Sequence, residues 1–291
     1  MIDVILNTIV SGILIGGFYA ACAIGLSISF GMLRIPNIAH PGFIIAGGFL
    51  TYYFNKTFGL DPLLAGLLII PIFFAFGFLL YRGYNRFFES KRDEREGQMS
   101  ALVLFFGVLM IIEALLSVTF GVDFRTVTTP WSSIVLHFGS VGICLRMAVP
   151  FLCSVLMVCI LYLYFSKTYL GLVIQAVAQD SMAATLIGSD PRFAKSIAFG
   201  ISFSTAAYAG TLFVCLVPVE PSLGMQFLGR VFSIAILGGL GSPLGTAVAG
   251  LIVGITESLT TAYIGSSWTL AVSFILLLII IAVKPTGLFR R

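Results

Sequence analysis

The sequence predicts an all-α polytopic membrane protein of eight or nine transmembrane helices, folded as one domain over residues 1–291. Three observations carry this prediction. Of the 291 residues 59% are hydrophobic and only 10% charged, too few polar side chains to cover a soluble surface of that size. The apolar runs are about 20 residues long, the length that crosses a hydrocarbon core as a helix. They do not alternate between apolar and polar residues as barrel strands would, so backbone polar groups must be satisfied within helices.

The elements follow in order. The first run, residues 4–30, is too long for a signal-peptide core, and Asp3 stands where a basic leader would begin, so it reads as a retained span. Further runs occupy 37–54, 61–81, 99–121, 147–165, 197–218, 225–240, 244–264 and 268–284. Residues 225–240 are short and include Arg230, so this run and its successor read as broken or re-entrant pieces rich in glycine. Gly12 with Gly16, and Gly250 with Gly254, form small-residue faces that let helix backbones approach closely.

Basic residues orient the spans. Arg82, Arg86, Lys91, Arg92 and Arg95 fall in one connection, Lys167, Arg192 and Lys195 in the 166–196 loop, and Lys284, Arg290 and Arg291 in the tail. These three segments are assigned to the cytoplasm, which puts the amino terminus outside. The net charge of +4 therefore reports topology and points to a lipid bilayer as the medium, with no nucleic acid as partner. The connection 82–98 reads either as an interfacial helix presenting Tyr84, Phe87 and Phe88 to the headgroups or as a solvated linker. Residues 122–146, with Pro130, Trp131 and His137, form the longest outer loop. The five cysteines lie in or beside apolar runs without metal-ligand spacing, so no metal site is expected.

The most informative stretch is QAVAQDSMAATLIGSDP, residues 175–191, inside the cytoplasmic loop. Asp180 is an N-cap candidate, Ser181 to Ile187 give two helical turns, Gly188 suits the C′ position, and Pro191 blocks continuation. Ala183, Leu186 and Ile187 share one apolar face. A helix shorter than about 12 residues is marginal alone, so it needs something to dock on. A loop outside the bilayer points to another protein.

At this point the chain resembles a known family. The Ala183-Ala184-x-x-x-Gly188 segment is similar to the coupling motif of ATP-binding-cassette importer permeases, although the acidic residue that usually precedes the two alanines is Met182 here. GMLRIPNIAHPGFIIAGGF (31–49), AILGGLGSPLGTAVAGLIVG (235–254) and VKPTGLF (283–289) resemble, in the same order, segments of the branched-chain amino acid permease branch. At positions where that branch often has Gly-Glu, this chain has Pro41 and Gly42. The resemblance implies that Asp180, Ser181, Met182, Ala183, Ala184, Leu186, Ile187 and Gly188 couple the permease to an ATPase. It further implies two ATPase subunits, a second homologous permease subunit, an extracytoplasmic substrate-binding protein, and a bacterial inner-membrane location. None of the five lysines follows a glycine, so the chain lacks a Walker A phosphate cradle. No cofactor is expected on this chain, and the resemblance places ATP and Mg on the ATPase subunits.

Ionisable and polar groups inside apolar runs are candidates for a solute path. Glu113 and Glu257 lie within predicted spans, with interhelical hydrogen bonding as the structural alternative. Asn37 and His40 fall at a predicted helix start near the inner face, three residues apart and so on one side of it, where capping competes with gating. The Gly-Pro breaks at 238–245, with Gly239 and Gly241, are candidates for presenting a helix N-terminus to an anionic group. The expected function is a non-enzymatic permease subunit that imports branched-chain or related amino acids by alternating access. A ribose-type sugar permease and a stand-alone secondary transporter or channel are the alternatives.

Overall fold

The computed structural model describes residues 2–87, 94–138, 141–284 and 287–289. All nine predicted spans are present as helices: α1 (Ile2–Gly31), α2 (His40–Phe58), α3 (Pro62–Phe87), α4 (Glu94–Phe120), α5 (Leu145–Lys167), α8 (Pro191–Leu216), α9 (Leu223–Gly238), α10 (Pro243–Tyr263) and α11 (Thr269–Val283). Between α5 and α8 stand α6 (Tyr169–Gln179) and α7 (Ser181–Leu186). Among the described helices, α1, α3, α4, α5, α8, α10 and α11 are long and apolar enough to cross a membrane. The chain is thus an all-α polytopic membrane protein.

Helix α8 forms the centre: 89% of its most apolar window is buried, against 6% for α11 at the periphery. The two predicted small-residue faces meet each other. A Cβ on Gly254 would stand 2.4 Å from the Gly16 Cα, and one on Gly12 would stand 2.7 Å from the Ile255 Cα, so α1 and α10 cross backbone to backbone. Helices α2 and α8 approach as tightly, with a Cβ on Gly47 falling 2.7 Å from the Ala207 Cα.

The basic segments share one end of the bundle. Arg34, Tyr84, Gly97, Asp180 and Lys195 border one cavity of about 420 Å³. Arg34 also borders a second cavity with Ser166, Gly241 and Phe289, which brings the tail to the same end. At the opposite end Asn7 Oδ1 accepts from Gly142 N, and Arg125 pairs with Val219 through backbone hydrogen bonds of 2.8 and 2.9 Å. The three segments assigned to one side from charge therefore lie together.

Four elements differ from the sequence reading. The outer loop contains a hairpin, β1 (Val135–Phe138) against β2 (Val141–Cys144), whose alternating VLHF and VGIC segments flank a Gly-Ser pair. Helix α3 runs through Phe87 and α4 begins at Glu94, so both flanks of the 82–98 connection extend spans; Tyr84 is buried and donates to Gly97 O. Residues 88–93, including Phe88, Lys91 and Arg92, lie outside the described residues, as do Arg290 and Arg291. Helix α6 is an additional element, started by Thr168, whose Oγ1 accepts from Gly171 N at 3.1 Å, and it buries Gly171, Ile174 and Val177. Finally, α10 is one continuous helix of 21 residues. The predicted break is a tight turn between α9 and α10.

Candidate functional site

At the end that carries the basic segments, α7 forms as its sequence dictates. Asp180 Oδ1 accepts from the N–H groups of Met182 (2.8 Å) and Ala183 (3.0 Å), satisfying two of the helix's orphan donors. Gly188 adopts a φ of +85°, a left-handed conformation open to glycine, and Ser189 N–H then donates to Ala184 O at 3.1 Å. Only Ala184 faces inward, at 3% exposure; Ser181, Met182, Ala183, Leu186 and Ile187 are exposed. Met182, Leu186 and Ile187 retain 77%, 84% and 79% of their surface in solvent. Three large apolar side chains are thus exposed on one short capped helix.

Asn37 and His40 occupy a different setting from the one expected. Helix α2 starts at His40, so Asn37 belongs to the non-helical segment before it and the two do not share a helix face. Nor is His40 at the inner face. Its Nε2 lies 3.0 Å from Cys22 O, nine residues before the end of α1 and therefore about 13 Å inside the bundle. The segment Met32–Ala39 turns back into the bundle, with Arg34 at a φ of +57°. Both side chains are fully buried, and Asn37 Nδ2, Asn37 Oδ1 and His40 Nδ1 have no hydrogen-bond partner among the described residues. Each such group costs about 1–3 kcal/mol.

Glu113 reaches from α4 to the start of α9, where its Oε1 accepts from Met225 N at 2.9 Å. It stands seven residues before the end of α4, about 10 Å along that helix, where it meets the first N–H groups of α9. Glu113 supplies that cap from another helix. Gly239 (φ +95°) and Gly241 (φ +87°) form the turn to α10, which Ser242 caps by accepting from Gly245 N. This turn is closed in on two sides. Gly241 N donates to Ser27 Oγ at 3.0 Å, and the tail crosses it through Leu288 N to Leu237 O. The N-terminus of α10 therefore sits at the end of the bundle that carries the basic segments, beside the tail.

Glu257, 5% exposed, gathers four helices. Its Oε2 accepts from the Tyr19 hydroxyl of α1 at 2.8 Å. Its Oε1 accepts from Arg230 Nε of α9 at 2.9 Å and from the Ser273 hydroxyl of α11. The Arg230 guanidinium also lies over the Tyr19 and Phe227 rings, 5.2 and 5.4 Å from their centroids. Sequence reasoning singled out Glu257 but read Arg230 only as a mark of a broken span and passed over Tyr19. The available signal was Arg230 itself, a charge that an apolar run retains only against a partner. The candidate residues thus fall in separate places: α7 at the end that carries the basic segments, Gly239 and Gly241 in the turn beside the tail, Asn37 and His40 in the interior, and Glu113 and Glu257 at interhelical junctions.

Comparison with known proteins gives this geometry its context. The family model described as "Branched-chain amino acid transport system / permease component" matches residues 8–281. The chain is 28% identical to the high-affinity branched-chain amino acid transport system permease protein LivH of Escherichia coli K12, over 98% of this chain and 96% of that one. It is 24% identical to the permease protein BraD of Pseudomonas aeruginosa, over 98% and 96%. It is 23% identical to a probable branched-chain amino acid transport permease protein LivH of Methanocaldococcus jannaschii, over 91% and 86%. No solved structure matches. With a helical membrane bundle throughout and a family match over nearly its whole length, the chain belongs to the family of permease components of branched-chain amino acid transport systems.

Proposed function

We propose that this chain is the membrane-spanning permease subunit of an ATP-driven importer that moves branched-chain or related amino acids across a bacterial inner membrane by alternating access. ATP and Mg bind to two separate ATPase subunits, a second homologous permease completes the pore, and an extracytoplasmic binding protein delivers the solute. The observation that carries the reading is α7, a capped short helix with Met182, Leu186 and Ile187 bare at the cytoplasmic end. A helix this short holds its shape when docked, and its exposed apolar face suits the ATPase surface. Closure of the ATPase pair would push on Asp180 to Gly188, and α6 and α8, which flank α7, would pass the movement to the centre of the bundle. The buried Asn37 amide and His40 Nδ1, which have no hydrogen-bond partner among the described residues, are suited to a gate that forms hydrogen bonds in another state.

A transporter working alone has no use for such a helix. The test is gentle solubilisation of native membranes containing the tagged chain, followed by mass spectrometry. Co-purification of an ATPase and a second permease is the expected outcome. A chain that purifies alone and moves leucine into liposomes without ATP would overturn the proposal.

A further inference from the structure

Between the outer ends of α1 and α10 and the start of α11 lies a cavity of about 620 Å³. Its lining is largely apolar, with Ser11 and Ser258 on facing helices, and Arg230 and Glu257 bring the charge to it. Glu257 lies six residues, about 9 Å, below the outer end of α10.

The arginine is only half engaged. Its Nε–H donates to Glu257, while its terminal nitrogens make no hydrogen bond among the described residues and are not sealed in the core. A guanidinium with its two terminal nitrogens available is a planar fork that matches a carboxylate. Glu257, held by Tyr19 and Ser273 as well, fixes the fork from behind.

We infer that this cavity is an outer substrate site in which Arg230 binds the carboxylate of a small amino acid before it enters the pore. The assignment rests on the permease reading above and names the group that meets the solute first. The anion recognised is a carboxylate; an anionic lipid headgroup presents a similar charge, and the test separates the two.

The full chain carrying Ser11→Cys is placed in nanodiscs and labelled with a negatively charged sulfonate thiol reagent. Leucine and 4-methylpentanoate, which share the carboxylate, are expected to slow labelling, and 3-methylbutylamine, which lacks it, is not. Arg230→Gln should raise the leucine concentration for half-protection at least tenfold, and Arg230→Lys less. Glu257→Gln keeps hydrogen bonds to Tyr19 and Ser273 but frees the guanidinium, so protection should appear at a several-fold lower concentration. A misfolded variant would not produce that gain. Equal protection by all three compounds, or protection unchanged by Arg230→Gln, overturns the inference. So does a block by phosphatidylglycerol alone that phosphatidylcholine does not reproduce. This assay needs no ATPase, so its failure leaves the importer reading standing, and a chain that purifies alone leaves the carboxylate site standing.

Discussion

The junction at Glu257 and the helix at Ser181–Leu186 satisfy themselves in opposite ways. Glu257 draws Tyr19, Arg230 and Ser273 from three other helices, so its charge is matched within the chain. Helix α7 satisfies its backbone through Asp180 but leaves Met182, Leu186 and Ile187 in solvent. The carboxylate is therefore matched within the chain, whereas the apolar side chains of α7 are left bare. Substitutions at the first place should change stability, and at the second they should change association.

The largest stability effect is expected at Glu257→Leu. It leaves the Arg230 charge without its partner, a loss of about 3–5 kcal/mol, read as a lower denaturant midpoint of the purified chain. A loss below about 1 kcal/mol would mean that Arg230 finds water in its cavity and that the junction is not a pin. Glu113→Leu comes next. It uncaps the start of α9 and should lose about 1 kcal/mol. Hydrogen exchange at Met225 should accelerate more than at Phe213, since the cap is local.

Asn37→Leu is expected to leave stability within about 0.5 kcal/mol of the parent or above it, because an apolar side chain of similar volume replaces one whose polar atoms are unbonded. Leucine uptake should fall at least tenfold if this side chain finds partners in another state. Unchanged uptake would make Asn37 a tolerated defect of packing.

Much of this arrangement was legible in the sequence because its physics is local. Asp180, Gly188 and Pro191 give the start, stop and break of one short helix, and each acts within a few residues. Gly12, Gly16, Gly250 and Gly254 announced close approach by their spacing, though not that the two pairs meet each other. What escaped is set by contacts distant in sequence. Glu257 and Tyr19 are 238 residues apart, and nothing local in Tyr19 points to the carboxylate. Likewise, Glu113 caps a helix 112 residues further on, which its own apolar surroundings do not disclose. His40 looks from sequence like the start of a span at the inner face. Only the return of Met32–Ala39 into the bundle places it beside Cys22. Helix α6 and the 135–144 hairpin are short and only partly apolar, so they gave no span-length signal.

Ala184, 3% exposed, packs inward, so a charge there would disrupt the loop itself. Leu186, 84% exposed, is the cleaner probe of the proposed contact. The most direct measurement is the amount of ATPase subunit retained by tagged Leu186→Asp in gently solubilised native membranes, with its unfolding midpoint measured in parallel. The account predicts that the midpoint stays within about 0.5 kcal/mol of the parent while the retained ATPase falls at least tenfold. Full retention with an unchanged midpoint would contradict it, since the apolar face of α7 would then be no contact.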